Sequence, residues 1–227
     1  MNEARAAELA SAIQHWLDYQ VLCRRGMLVS EAYLAQPVGE YLRAHHSGEI
    51  RAEWSIPGLQ TGARGRPRQL DYALLSRDSS RLVAAIEAKW VTSRRIEPQR
   101  IVDDLLRLES VRSDQGQSVT RFFLVAGLSS DFNAYFLNAQ VRAGGVNHAL
   151  LGPLLNQVAG QPLSVSVANS QDPWRGYFKS FAESHQTTVP TSFTTRFVAD
   201  YPGTAARACV WRVSSVSNRS PVLGTSL

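Results

Sequence analysis

Three residues of one short stretch suit metal-assisted chemistry: Asp71, Glu87 and Lys89. The turn formers of residues 76–80 separate two apolar, partly β-branched segments, which predicts a β-hairpin. A hairpin centred on Ser79 places Asp71 opposite Glu87, with their Cβ atoms about 5 Å apart, where two carboxylates repel each other. A divalent cation removes that repulsion, since Mg²⁺ binds oxygen ligands at about 2.0–2.1 Å. The hairpin therefore predicts a metal site.

Lys89 adds a cation to the same face as Glu87, because residues two apart on a strand point the same way. The chain has 24 basic residues, and the only lysines among them are Lys89 and Lys179. A guanidinium stays protonated, whereas an ammonium can lose its proton when it is desolvated or lies near other charges. A lysine at position 89 therefore favours chemistry that arginine cannot perform. Two other interpretations stay open: chance, and a structural cluster of ion pairs in a partly buried sheet.

A helix is predicted ahead of the hairpin. Ser30 is a favourable N-cap and Glu31 lies in the first helical turn. Pro37 falls inside the apolar pattern and predicts a kink or a division into two short helices. Glu31 has two interpretations: a third carboxylate for the metal, or a first-turn acid that the helix dipole stabilises.

A β-α-β crossover is predicted behind the hairpin. A helix with Pro98 in its first turn precedes a buried strand over residues 121–128, and this order gives a mixed sheet. Several polar residues of this helix can face the site. The full polar set is Gln99, Arg100, Asp103, Asp104 and Arg107.

The outer parts of the chain are predicted from periodicity and turn residues. Residues 2–23 form an amphipathic helix that ends at a Gly26 cap, and residues 49–56 alternate as a strand. Residues 131–140 predict a helix, and the segments 193–198 and 208–213 predict closing strands.

The positive charge of the chain agrees with a polyanionic partner. The formal net charge is +5 and almost all of the basic residues are arginines, which pair phosphate in bidentate fashion. A glycine-rich segment, 58–69, leads into the hairpin and lacks the ending of a phosphate-cradling loop. It either follows a phosphodiester backbone or is a solvated linker. The candidate nucleic-acid-binding residues are Arg64, Arg66, Arg68, Arg94 and Arg95.

The cysteines and the hydropathy pattern predict a cytoplasmic protein without a membrane partner. No apolar run reaches the length of a membrane span, and no charged region followed by an apolar one opens the chain. Cys23 and Cys209 are far apart in sequence and have no metal-ligand spacing, which favours two reduced thiols.

Taken together, the order of these elements resembles the PD-(D/E)XK nuclease superfamily. The residues that carry the resemblance are Asp71, the run Glu87-Ala88-Lys89, Glu31 on the preceding helix and Gln99 on the following one. The similarity covers residues 30–128. It departs at Leu70, where the superfamily often has proline.

The resemblance implies an α/β fold in a single domain: a restriction-endonuclease-like core with a central mixed sheet flanked by helices. Residues 1–29 would be an N-terminal helix, residues 30–128 the nuclease core, and residues 129–227 the C-terminal part of the same domain, with helices and closing strands. The resemblance also implies roles for single residues. Asp71, Glu87 and the main-chain carbonyl of Ala88 would hold one or two Mg²⁺ or Mn²⁺ ions.

In the same resemblance, Glu31 completes the metal shell and Gln99 contacts the substrate or steadies the site. Lys89 orients or deprotonates the attacking water, or stabilises the charge on the phosphate. The implied function is a metal-dependent nuclease, with DNA favoured over RNA, in bacterial defence or DNA processing. A homodimer and partner proteins of a defence system stay open. The alternative is a catalytically inactive module of the same fold that binds nucleic acid or protein.

Overall fold

The computed structural model describes residues 1–56, 69–92, 98–112, 118–134, 140–143, 146–149, 154–155, 157–170, 174–185 and 187–215. The helices in these ranges are α1 (Glu3–Leu22), α2 (Glu31–His45), α3 (Pro98–Ser110), α4 (Ser129–Asn133) and α5 (Trp174–Ser184). The strands are β1 (Ile50–Ser55), β2 (Gln69–Leu75), β3 (Leu82–Val91), β4 (Thr120–Leu128), β5 (Gln140–Ala143), β6 (Val146–Ala149), β7 (Pro162–Ser166), β8 (Ser192–Pro202) and β9 (Ala206–Ser215). No helix in the described ranges combines the length and the apolar character that crossing a bilayer requires.

A seven-stranded mixed sheet organises the molecule, in the order β1-β2-β3-β4-β9-β8-β7. β3 and β4 are parallel, and the other neighbouring pairs in this sheet are antiparallel. A parallel pair needs a long crossover connection, and α3 lies within it. β5 and β6 form a separate antiparallel pair. The α/β class with a central mixed sheet flanked by helices in a single domain is therefore confirmed.

Helices cover both faces of the sheet, and each face has its own hydrophobic core. α1 and α2 pack on one face, where Leu9, Ile13 and Leu34 are fully buried or nearly so. α3 and α5 pack on the other, around residues such as Leu105 and Phe178. Because a strand directs alternate side chains to opposite faces, each central strand contributes to both cores.

The β2–β3 hairpin has the register that the sequence predicts. Tyr72 pairs with Ile86 and Ala73 with Ala85, and this register places Asp71 opposite Glu87. Short polar side chains close the turn: Asp78 accepts from the Ser76 hydroxyl at 2.5 Å and from the Ser80 amide at 3.2 Å. These hydrogen bonds stabilise the turn, and the apolar pattern of the strands on either side fixes the pairing register.

Helix α2 is one continuous helix, so the predicted division at Pro37 is wrong. A proline inside a helix removes one backbone hydrogen bond. Leu34, Val38 and Leu42 are buried on the same side of α2, and tertiary packing of such an apolar face supplies most of a helix's stability.

The predicted cap at Gly26 is also wrong. α1 ends with Arg24 in the left-handed backbone region (φ 59°), and Gly26 begins a short 3₁₀ helix, Gly26–Leu28. Of the helix predicted over 131–140, the structure describes α4, which covers Ser129–Asn133, and it places Gln140 in β5; residues 135–139 lie outside the described residues. The Gly144-Gly145 sequence that follows β5 favours a two-residue hairpin connection.

Candidate active site

The carboxyl groups of Asp71 and Glu87 meet on the hairpin. Asp71 Oδ2 accepts a hydrogen bond from the Ala88 amide at 2.7 Å, across the two strands. Glu87 is 2% exposed, and its carboxyl group lies close to that of Asp71. Two carboxylates this close repel each other when both are ionised, which favours the protonated form of either group.

Burial is the main cause of the raised pKa of both carboxyl groups. Desolvation raises the pKa of Glu87 well above its usual value, against the opposing attraction of Arg107, and the negative charges of Asp71 and Asp104 raise it further. Desolvation also raises the pKa of Asp71, although the Ala88 amide bond favours its charged form. Both carboxyls are therefore held where a negative charge is costly, unless a cation offsets it.

Lys89 lies on the same face as Glu87 and is held between two acids. Its Nζ is 3.2 Å from Glu31 Oε2 and 3.2 Å from Asp104 Oδ2, and its side chain is 12% exposed. Burial lowers the pKa of Lys89, but the combined attraction of Asp104 and Glu31 outweighs it and the pKa is raised. Lys89 is therefore a protonated cation in this structure.

Asp104 and Arg107 of α3 complete the cluster. They lie three residues apart and so share one side of the helix, which faces β3. Arg107 forms a salt bridge with Asp104, and its Nε lies 3.3 Å from Glu87 Oε1 without hydrogen-bond geometry. Glu87 Oε1 and Arg107 Nε are both buried and have no hydrogen-bond partner among the described residues.

Gln99, which was assigned to the site, contacts two neighbouring elements, and its role in the site stays a prediction. Its side-chain amide donates to Asp103 Oδ1 at 2.7 Å and to the Tyr177 carbonyl at 3.2 Å, so Gln99 connects α3 to α5. Of the polar residues of α3, it is Asp104 and Arg107 that reach the hairpin. In the sequence, Asp104 and Arg107 both interrupt the buried apolar side of α3, and this pattern could have identified them.

A solvent-facing cleft of about 500 Å³ lies beside the cluster, between α2 and strands β1 and β2. Glu31 and Asp71 both line it, so the cleft reaches two of the four carboxylates. Glu53 of β1 also lines it and has a left-handed backbone (φ 50°) between the paired residues Ala52 and Trp54. The cleft is therefore acidic at its base.

The arginines that were assigned to nucleic-acid binding lie outside the described residues. This applies to Arg64, Arg66 and Arg68 before the hairpin and to Arg94 and Arg95 after it. Their role stays a prediction.

The residues of the cluster fit a divalent cation in part. Four carboxylates (Glu31, Asp71, Glu87, Asp104) face two cations (Lys89, Arg107), so the fully ionised cluster has two negative charges in excess. The donors are oxygens, which suit Mg²⁺ or Mn²⁺. Within the described ranges, however, no three His, Cys, Asp or Glu side chains are grouped so that they could hold a metal ion. Lys89 pairs with Glu31 and Asp104, and Arg107 pairs with Asp104 and also lies against Glu87. Asp71 and Glu87 are the pair nearest each other, so a metal held by them would compete with Arg107 for Glu87.

Comparisons of the chain with known protein families, with curated proteins and with solved structures gave no match.

Proposed function

We propose that this protein is a metal-dependent nuclease that hydrolyses phosphodiester bonds of nucleic acid, with DNA favoured over RNA. The observation that carries the proposal is the position of Asp71 opposite Glu87 on the hairpin, in carboxyl-to-carboxyl contact, with Lys89 on the same face. Three functional groups of these kinds, next to an open cleft, are a common basis for metal-assisted hydrolysis.

The order of elements around the hairpin supports the specific fold type that the sequence resemblance implies. α2 precedes the hairpin, α3 follows it, and β4 returns parallel to β3. This is the succession expected for a restriction-endonuclease-like core, and we propose that fold for the part of the chain from α2 to β4. The setting in bacterial defence or DNA processing stays a prediction of the resemblance.

Asp71, Glu87 and the main-chain carbonyl of Ala88 would hold Mg²⁺ or Mn²⁺. A bound ion of this kind supplies an activated water and stabilises the charge that develops on the scissile phosphate. The excess negative charge of the cluster and the unsatisfied, buried Oε1 of Glu87 both support the assignment. A buried acceptor without a donor is costly, and a cation would offset that cost.

Lys89 would stabilise negative charge at the phosphate rather than remove a proton from water. Its pKa is raised, since Asp104 and Glu31 outweigh the effect of burial, and a protonated ammonium cannot act as a base. Its two carboxylate partners at 3.2 Å would also fix its position. Asp104 and Glu31 are then positioning residues for Lys89.

A second candidate is a module of the same fold that binds nucleic acid or protein without catalysis. The observation that favours it is Arg107, which pairs with Asp104 and lies 3.3 Å from Glu87, so a protein cation already offsets part of the acidic charge. In that case the cluster is a structural ion-pair network.

Cleavage of plasmid and linear DNA, with Mg²⁺, Mn²⁺ or EDTA, distinguishes the two candidates. We expect the wild-type protein to cut with either metal, and we expect Asp71→Asn and Glu87→Gln to lose activity by about 10²-fold or more. Glu40→Gln is the matched control, because Glu40 is an exposed acid on α2 that accepts a hydrogen bond from Gln36. Equal cleavage by wild type and both carboxylate variants would refute the proposed function.

A further inference from the structure

The connection between α1 and α2 carries an exposed surface in which apolar side chains and arginines alternate. Among the described residues four large hydrophobic side chains are exposed, and three of them lie here: Tyr19 (59%), Leu22 (81%) and Leu28 (66%). Arg24 and Arg25 lie between Leu22 and Leu28 and are both exposed. These five residues are called the α1–α2 surface below.

The two arginines of this surface have no carboxylate partner within the ranges that the structure describes. Several surface arginines of the described ranges differ from them in this respect, whereas Arg43 and Arg175 are exposed in the same way. The paired ones include Arg5 with Glu8, Arg51 with Glu49, Arg196 and Arg212 with Glu3, and Arg207 with Asp200. Unneutralised guanidinium groups beside exposed apolar side chains suit an anionic partner that also offers apolar surface.

The α1–α2 surface is anchored to the helix that carries Glu31. Tyr33 of α2 donates to the side-chain oxygen of Gln20 at 3.3 Å, and its ring centroid lies 5.1 Å from that of Trp16. The Arg25 amide donates to the Gln20 carbonyl at 2.8 Å, which closes the end of α1. The arginines are therefore presented by ordered backbone next to the first turn of α2.

The surface also lies near the cleft. Leu28 is three residues before Glu31, which lines the cleft, and Arg25 is six residues before it. Six residues span at most about 20 Å even when fully extended. Since one strand of DNA advances about 3.4 Å per nucleotide, Arg25 lies within about six nucleotides of a phosphate bound at Glu31, and Arg24 lies one residue further away.

We propose that the α1–α2 surface binds the sugar-phosphate backbone of a nucleic-acid strand that enters the cleft. Arg24 and Arg25 contact phosphates, and Leu22 and Leu28 contact sugars or base edges, as apolar side chains do in several nucleic-acid complexes. An acidic protein is the competing partner, but the position beside the cleft favours the nucleic acid. The inference rests on the proposed function for its choice of partner.

The test is binding of a fluorescently labelled 20-nucleotide duplex and single strand to the full chain in EDTA, where metal-dependent cleavage does not interfere. The double variant Arg24→Gln/Arg25→Gln is compared with Arg43→Gln/Arg175→Gln. Arg43 and Arg175 are exposed residues of α2 and α5 that do not line the cleft, and both variants lower the formal net charge of +5 by two.

We expect the Arg24/Arg25 variant to bind on the order of 10-fold or more weakly at 0.1 M salt. We also expect the slope of log K against log salt to fall by about 2, because each lost phosphate contact contributes about 0.9. Arg24→Gly fits the left-handed backbone at this position, so it separates loss of charge from disturbance of the helix end and should weaken binding without lowering Tm.

Equal affinity and equal salt slope for the two double variants would overturn the inference. A loss of affinity for a poly-glutamate peptide as large as that for DNA would also overturn it, in favour of an acidic protein partner. Cleavage by the wild-type protein is scored separately. A protein that cuts DNA but binds it equally in both variants keeps the proposed function and loses this inference, and the reverse result loses only the nuclease assignment.

Discussion

At the scale of single residues, burial and neighbouring charges set the pKa values of the groups in the cluster. Burial and like charge raise the pKa of Glu87, whereas Asp104 and Glu31 keep Lys89 protonated. Lys89 is one of two lysines among 24 basic residues, which marks it as a candidate functional residue, but the sequence leaves its role open. Under the proposed function, its raised pKa favours electrostatic stabilisation over general-base chemistry.

Lys89→Arg should lower DNA cleavage by about 10²-fold or more, the scale seen when one electrostatic donor of a transition state is removed. The charge is kept, but a planar guanidinium does not fit a point between two carboxylate oxygens that are each 3.2 Å from Nζ. Steady-state cleavage rates with Mn²⁺ measure the effect. The matched control is Lys179→Arg on α5, which should cut normally. Full activity of Lys89→Arg would show that positive charge alone suffices at this position.

Glu87→Gln should make the metal-free protein more stable at pH 8 than the wild type. The folded-state pKa of Glu87 is raised above its unfolded value, chiefly by burial. The folded state then binds the proton more tightly, so this contribution to stability is present at low pH and is lost as pH rises from the unfolded pKa through the folded one. Glutamine resembles the protonated form and does not titrate.

Thermal unfolding in EDTA between pH 5 and pH 8 measures this difference. Each kcal/mol corresponds to about 2–4 °C in Tm for a chain of this size. The Tm advantage of Glu87→Gln should grow with pH. A wild-type protein that is the more stable of the two at pH 8 would mean that ionised Glu87 is stabilised by Arg107 more than burial disfavours it.

At the scale of elements, the site is the contact between one hairpin and one helix. β2 and β3 supply Asp71, Glu87 and Lys89, and α3 supplies Asp104 and Arg107. Arg107 lies between them, mostly shielded from solvent with its side chain 15% exposed, and it faces two carboxylates. Removing one partner of a buried ion pair leaves an uncompensated charge, which is more destabilising than replacing the whole network.

Arg107→Met should therefore lower the free energy of unfolding by about 3–5 kcal/mol in EDTA. Urea denaturation measures it, with exposed Arg175→Met as the control that should change stability little. Mn²⁺ should restore more stability to Arg107→Met than it adds to the wild type, because a divalent cation can replace the lost positive charge beside Glu87. If Mn²⁺ stabilises the variant no more than it stabilises the wild type, this result argues against a metal at this position.

The hairpin could be predicted from sequence because its determinants are local. The turn residues fix its centre, and the apolar pattern fixes which face each side chain takes, so the pairing of Asp71 with Glu87 followed directly. The choice of Asp104 and Arg107 over Gln99 could not be made in that way. It depends on how α3 is rotated over β3, which is decided by packing between residues that are distant in sequence.

The same limit applies to the helices. Pro37 argues for a break by local propensity, but burial of Leu34, Val38 and Leu42 against the sheet outweighs it. Arg24 in a left-handed conformation, where glycine is favoured, could not be anticipated from its residue type. Both cases show tertiary packing overriding a local preference.

At the scale of the whole molecule, the C-terminal strands are part of the sheet that carries the site. β9 pairs with β4 over eight residues, from Arg121↔Val213 to Leu128↔Ala206, and α1 packs against both β8 and β9. Phe122 and Phe123 of β4 are fully buried. The segment 30–128, which carries the sequence resemblance, is therefore not a self-contained sheet.

A fragment that ends at residue 128 should fail to fold as a soluble monomer. It would leave the β4 edge unpaired and would uncover the apolar side of α1, which are both conditions that favour aggregation. Size-exclusion chromatography and thermal unfolding of the fragment and of the full chain test this. A monomeric fragment with a cooperative transition would show that β8 and β9 are dispensable for the core.

The anomalous scattering of crystals grown with Mn²⁺ tests most directly whether Asp71 and Glu87 form a metal site. We predict a peak within coordination distance of an oxygen of each carboxylate, with both groups ionised. Arg107 should then have moved away from Glu87, or should contact only the side of Glu87 that faces away from the metal. The contradicting result is a hairpin without a peak at saturating Mn²⁺, in which Arg107 keeps its position beside Glu87.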